Sequence, residues 1–158
     1  MGKNYRLPTE AEWERAVRHT DGREYPWGKE EPKAVTTNFQ PTGLERPTAV
    51  GIFPQDTAVC GAQDMAGNIN EWCQTRWRNE SGREYTLPYK PDDGRENLEG
   101  ANDVWRVIRG GSYYDDEGWL RCAYRGRYHS NFRNYYRGFR VVVVPIFRPP
   151  LVSEASGL

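Results

Sequence analysis

Between Tyr25 and Gly67 the chain is rich in Pro, Gly, Thr and Asn and shows neither a helical nor a strand period over any sustained length. A stretch this long cannot be a helix or a sheet strand, so the fold must tolerate long ordered loops, pinned here by Trp27, Phe39 and Phe53. Hydrophobic residues make up only 37% of the 158-residue chain, yet it holds 6 Trp, 10 Tyr and 5 Phe. The core therefore depends on aromatic side chains more than on Leu or Ile, which favours β structure and loops. A chain of this length fits one domain and buries about two-thirds of its unfolded surface.

Regular structure is expected in a few places. Thr9 followed by Glu12 reads as a capping box, opening a helix to about His19 with Trp13, Ala16 and Val17 on one face; Asp21-Gly22 ends it. Glu71-Trp72-Cys73 reads as a short strand and 79–103 as a polar insertion. Strands are expected at Val104–Arg109, Leu120–Arg125 and Phe139–Val144, the last apolar on both faces and so placed centrally. Residues 146–158 read as an extended or disordered tail after one domain over residues 1–145.

Charge is balanced, with 22 Lys plus Arg against 22 Asp plus Glu, so nothing global points to nucleic acid or membrane, and neither is expected as a partner. From Arg106 to Arg140, however, eight Arg and no Lys face only Asp115, Asp116 and Glu117. Cys60, Cys73 and Cys122 are odd in number and carry no CxxC, which argues for free thiols in a reducing compartment and favours the cytoplasm. No signal peptide is visible.

The same stretch contains a frame of Gly, Arg and strand formers and a set of fillers: Tyr113, Tyr114, Asp115, Asp116, Tyr128, His129, Ser130, Asn131, Phe132, Asn134, Tyr135 and Tyr136. Tyrosine offers wide amphipathic contact at small entropy cost, and the polar fillers adapt their hydrogen bonds. These twelve residues read as a binding face for a protein or glycan ligand, with some tyrosines serving as core. Arg109-Gly110-Gly111-Ser112 reads as a bulge or a close backbone approach rather than a phosphate loop.

Five motifs occur in order: Arg6-Leu-Pro-Thr-Glu-Ala-Glu-Trp-Glu14, Tyr25-Pro-Trp-Gly28, Asp64-Met-Ala-Gly-Asn-Ile-Asn-Glu-Trp72, Arg106-Val-Ile-Arg-Gly-Gly-Ser112 and Gly138-Phe-Arg140. Together they resemble the formylglycine-generating-enzyme, or sulfatase-modifying-factor, family. The resemblance implies an α+β, C-type lectin-like mixed fold with long ordered loops and little regular secondary structure. It also implies a structural Ca²⁺ loop at Asp64, Gly67, Ile69 and Glu71; the alternative is that Asp64 and Asn68 bond the loop's own backbone and Glu71 pairs with an arginine.

The oxidases of this family use a cysteine pair shortly after the Gly-Gly-Ser motif, where this chain reads Tyr113-Tyr114-Asp115-Asp116-Glu117-Gly118-Trp119. Related iron enzymes need a histidine cluster, and only His19 and His129 are present. On these grounds the chain is expected not to be an enzyme and to hold neither copper nor iron. The resemblance extends to the variable proteins of diversity-generating retroelements, whose randomised NNY codons encode Tyr, Asp, His, Ser, Asn and Phe; all twelve fillers pass that filter. A non-catalytic binding module is the expected function. The alternatives are a formylglycine-generating oxidase, or a regulatory domain attached to a kinase, protease or immune-sensor chain.

Overall fold

The computed structural model describes residues 3–99 and 104–145. Strand β1 (Lys3–Arg6) leads into helix α1 (Glu10–Arg18). The helix starts where the capping box places it: the Glu12 backbone N–H donates to Thr9 Oγ1 at 3.2 Å, and the Thr9 N–H donates to the Glu12 carboxylate at 2.8 Å. Arg6 clamps that same carboxylate with two bonds of 2.7 and 2.6 Å, which holds Glu12 down at a pKa of about 2.

Four more strands form one mixed sheet in the order β4-β3-β2-β5, where β2 is Asn70–Arg76, β3 Trp105–Arg109, β4 Gly126–His129 and β5 Arg137–Gly138. The pairs β2–β3 and β3–β4 are antiparallel; β2–β5 is parallel, with Asn70 opposite Arg137 and Glu71 opposite Gly138. A separate ribbon pairs β1 with β6 (Val142–Pro145). Helix α1 packs on β2 and β3 and buries Trp13 and Val17 in a cluster with Met65, Cys73, Trp77, Val107 and Cys122. A second cluster joins Tyr25, Phe39, Ala66 and Leu120. This is an α+β, C-type lectin-like fold with one α-helix among the described residues and little regular structure.

The long loop behaves as its composition demands. Between Tyr25 and Gly67 its only helical or strand segment among the described residues is a three-residue 3₁₀ turn at Gln40–Thr42. It is held instead by bonds to the segments that flank β2 and β3, among them Asn68 N–H to the Asn38 carbonyl and Gly67 N–H to the Gly110 carbonyl, both 2.7 Å. Gly110 and Gly111 have φ of 91° and 68°, and a Cβ on Gly110 would lie 3.1 Å from the Met65 carbonyl oxygen. The close backbone approach expected at this motif is therefore present.

Two expected strands differ from the structure. Leu120–Arg125 is not a strand: Leu120 ends a 3₁₀ turn, Tyr124 N–H turns back to the Arg121 carbonyl, and the strand comes later, at β4. The Cys122 N–H is taken by the Glu24 carbonyl, so this segment is pinned to a loop rather than a ladder. The valines of Phe139–Val144 are not central either. Their segment forms the outer ribbon β6, with Val141 and Val143 about half exposed, because β1 is its only strand partner among the described residues. The expected tail at 146–158 lies outside the described residues.

Candidate ligand-binding face

Three segments meet beside the β2–β5 pairing. The turn at 112–116 is fixed from below: Tyr113 N–H donates to the Asn68 carbonyl at 3.1 Å, and Gln40 N–H donates to the Asp115 carbonyl at 3.0 Å. The second segment is β4 with the turn after it, closed by Phe132 N–H to the His129 carbonyl at 2.9 Å. The third, 134–137, is drawn in by Asn70 N–H to the Tyr136 carbonyl at 2.9 Å.

Rings from these segments touch. Tyr114 stacks on Tyr136 with centroids 5.9 Å apart, Tyr113 meets Tyr114 edge-on at 6.3 Å, and Tyr128 stacks on Phe132 at 5.5 Å. Arg137 lies among them, its guanidinium carbon 3.2 Å from the Tyr128 ring centre, 5.1 Å from Phe132 and 5.0 Å from Tyr136. Tyr124, tilted against Trp119 at 4.6 Å, stands close enough to Asp115, Asp116 and Tyr128 to feel their charges, though burial is the main cause that lifts its phenol to about 12.

The expected site residues divide into supports and contact groups. Tyr113 is only 8% exposed and belongs to the framework. Asp115 is also a support, its carboxylate accepting from Ser112 Oγ at 2.6 Å and from Asn70 Nδ2 at 2.9 Å. Asp116 caps the 3₁₀ turn Glu117–Leu120 through Gly118 N–H at 3.0 Å. His129 rests on Trp105 at 4.1 Å, and the Ser130 hydroxyl accepts from Val104 N–H at 3.3 Å, so both look toward β3. Tyr114 at 68% exposure, Phe132 at 48% and Tyr135 at 91% are open to solvent, as is Asn131, while Tyr128, Asn134 and Tyr136 are half-buried. Arg137, Tyr124 and Asn70 were not among the residues expected from sequence. Their types are those of frame and fillers alike; the β2–β5 register brings Asn70 and Arg137 to the face, and the turn before β4 brings Tyr124.

In the loop at Asp64, Gly67, Ile69 and Glu71 both carboxylates are engaged by protein donors. Both Glu71 carboxylate oxygens accept from Arg140, at 2.5 and 2.6 Å, and one also accepts from the Trp13 indole N–H at 2.7 Å. Asp64 turns its carboxylate to the Gly51 N–H at 2.8 Å, and Asn68 Oδ1 accepts from Thr48 N–H at the same distance. The Arg140 guanidinium supplies the positive charge that a hard cation would bring. Among the described residues no three His, Cys, Asp or Glu side chains gather as a metal site. Burial pushes the Cys122 thiol up to about 12 and Cys73 well above its ordinary range, so neither supplies a thiolate near neutral pH. No helix among the described residues is long and apolar enough to cross a membrane.

A family model described as the sulfatase-modifying factor enzyme 1-like domain matches residues 1–145. The chain is similar to hercynine oxygenase of Mycobacterium tuberculosis, at 34% identity over 86% of this chain and 32% of that protein. It is also similar to the serine/threonine-protein kinase Pkn1 of Chlamydia trachomatis, at 36% identity over 85% of this chain and 20% of the kinase. Among solved structures it resembles Treponema denticola variable protein 1, with TM-score 0.68 and 26% identity over 88% of this chain and 47% of that one. The chain thus spans a third or less of these curated relatives. The oxygenases correct the expectation that this is not an enzyme. A missing cysteine pair removes one chemistry, that of a two-thiolate copper site, and the family includes proteins named for another.

Proposed function

Because this chain belongs to the sulfatase-modifying factor enzyme 1-like family, we propose that it is the family's recognition module, holding a ligand on the face of Tyr114, Tyr128, Phe132, Tyr136 and Arg137. The observation that carries this reading is the two stacked ring pairs, Tyr114–Tyr136 and Tyr128–Phe132, bridged by Arg137 and left partly open to solvent where a structural core would close them. Aromatic burial supplies the affinity of such a face, and its Asn neighbours supply selectivity. The likeness to Treponema denticola variable protein 1 supports the finer reading that these positions differ between copies of the gene.

Titration of the ¹⁵N-labelled protein with a panel of small aromatic compounds tests the face. Shifts centred on residues 114, 128, 132, 136 and 137, lost in Y114A and Y136A, are expected. Shifts centred instead on the cavity of about 430 Å³ beside α1, lined by Glu10, Glu14, Arg18, His19 and Tyr89, would overturn it.

The identity to hercynine oxygenase favours a second reading, in which the same face orients the substrate of an oxygenase. Dioxygen uptake on adding hercynine, weakened by Y128A, supports that reading; no uptake at any hercynine concentration removes it.

A further inference from the structure

From Gly118 to Pro145 the chain carries six arginines and no Asp, Glu or Lys. Three of the six are matched by distant carboxylates: Arg121 with Glu24, Arg125 with Glu10 and Arg140 with Glu71, at 3.1, 2.5 and 2.5 Å. Arg127 is exposed and lies over the Trp77 and Trp105 rings at 4.9 and 5.9 Å, and Arg133 is exposed. Arg137 differs from all five. It is half-buried under three rings, and its Nε and Nη1 are shielded from water without an acceptor. A guanidinium presents its donors at its edge, in the plane of the group, whereas aromatic rings cover its faces. The rings over Arg137 therefore satisfy its charge in part and its hydrogen bonds not at all.

The surroundings share this shortage. Asn70, opposite Arg137 in the parallel ladder and 3% exposed, leaves Oδ1 unpaired while its Nδ2 is committed to Asp115. Asn134 leaves both Oδ1 and Nδ2 unpaired and buried. Unmet polar atoms of this kind cost stability, and a group of them beside an open aromatic face is one that a polar ligand can satisfy. Paired residues of a ladder project to the same side of the sheet, so Asn70 and Arg137 address the same space.

We propose that the Arg137 edge is a carboxylate receptor, and that the ligand of this face is an aryl carboxylate: a planar anion in the guanidinium fork, an aromatic body on the Tyr128, Phe132 and Tyr136 rings, and a donor for Asn70 Oδ1. A carboxylate matches in plane and in spacing the fork that Nε makes with Nη2, as Glu71 does on Arg140, and the charge-assisted pair is stronger than a neutral bond. Phe132, 5.1 Å from the Arg137 guanidinium carbon, is half exposed, so this side of the group borders solvent. This inference rests on the recognition reading above and adds the ligand's charge to it.

The test uses the whole ¹⁵N-labelled chain and matched probes: benzoate against benzamide, indole-3-acetate against indole-3-acetamide, and phenyl phosphate. The Arg Nε–Hε resonance lost in R137K identifies Arg137. The carboxylates are expected to shift that resonance and the Asn134 side-chain amide, binding at least tenfold more tightly than their amides. R137K and R137Q should each erase the preference while leaving the thermal midpoint nearly unchanged. Carboxylate and amide binding equally at the face would overturn the anion inference and leave the recognition reading standing. Phenyl phosphate outcompeting benzoate would overturn the carboxylate class. No response at the face from any probe would overturn both.

Discussion

Arg109 and Arg137 are the same residue in two different settings. Arg109 is fully buried, and its guanidinium reaches Glu14 at 2.5 Å, Glu10 at 3.4 Å and the carbonyls of Cys122, Ala123 and Tyr124 at 3.0, 3.2 and 2.7 Å. One side chain thereby ties α1 to the turn before β4. Arg137 has rings on its faces and unmet donors on its edge. Arg109 leaves only Nε unpaired and spends both terminal nitrogens on the fold, whereas Arg137 makes no such tie, and an arginine of the second kind can hold something else.

That contrast fails first, if it fails, in denaturant. R109M removes the buried guanidinium that Glu10 and Glu14 share and leaves the Cys122, Ala123 and Tyr124 carbonyls without their donor, and it is expected to cost about 3–5 kcal/mol in urea unfolding, whereas R137M is expected to cost less than about 1 kcal/mol. Equal costs would make Arg137 a structural residue like Arg109.

A second measurement concerns Asp56, a carboxylate on the framework side that has no arginine of its own. It is fully buried and leaves Oδ1 unpaired; its Oδ2 accepts from Thr37 Oγ1 at 2.9 Å. Burial, with a smaller push from Asp64, raises its pKa to about 8. The folded state thus binds this proton more tightly than the unfolded chain does. The resulting stability is fully present below the ordinary carboxylate range near pH 4 and is lost as pH rises through about 8. D56N should flatten that decline and, at pH 9, exceed the wild type by an amount on the order of a few kcal/mol. A wild-type midpoint that does not fall between pH 5 and 9 would contradict it. The smallest effect belongs to the front face, where Y114A and Y135A should each change unfolding free energy by less than about 0.5 kcal/mol. A larger loss by calorimetry would make those rings part of the core.

The framework was legible in the sequence where the signal is local. Thr9 and Glu12 bond each other across three residues, so the helix start could be read from those letters alone. The Leu120–Arg125 segment has strand-like composition, but its outcome depends on Glu24, almost a hundred residues away, which takes its amide. The valines at 141–144 announce a strand without announcing its layer, which only the pairing with β1 decides. At the candidate site, tyrosine-rich composition located the exposed rings of Tyr114, Phe132 and Tyr135 but placed Tyr113 and Asp115 beside them, where they are supports. Arg137 looked like its neighbours because the distinction lies in which carboxylates come within reach, a property of the folded chain.

The β1–β6 ribbon joins residues at opposite ends of the described chain, with Lys3 opposite Pro145. Closing a loop of about 140 residues costs some 2 kcal/mol more entropy than closing a ten-residue hairpin, and the ribbon gains no flanking strand among the described residues to offset it. The clasp should therefore form after the four-stranded sheet during folding and release before it. In hydrogen exchange the amides of Asn4 to Arg6 should open through a sub-global step, while those of β2 and β3 wait for global unfolding. The proposed face belongs to the slower unit, so it can keep its shape while β1 and β6 come apart.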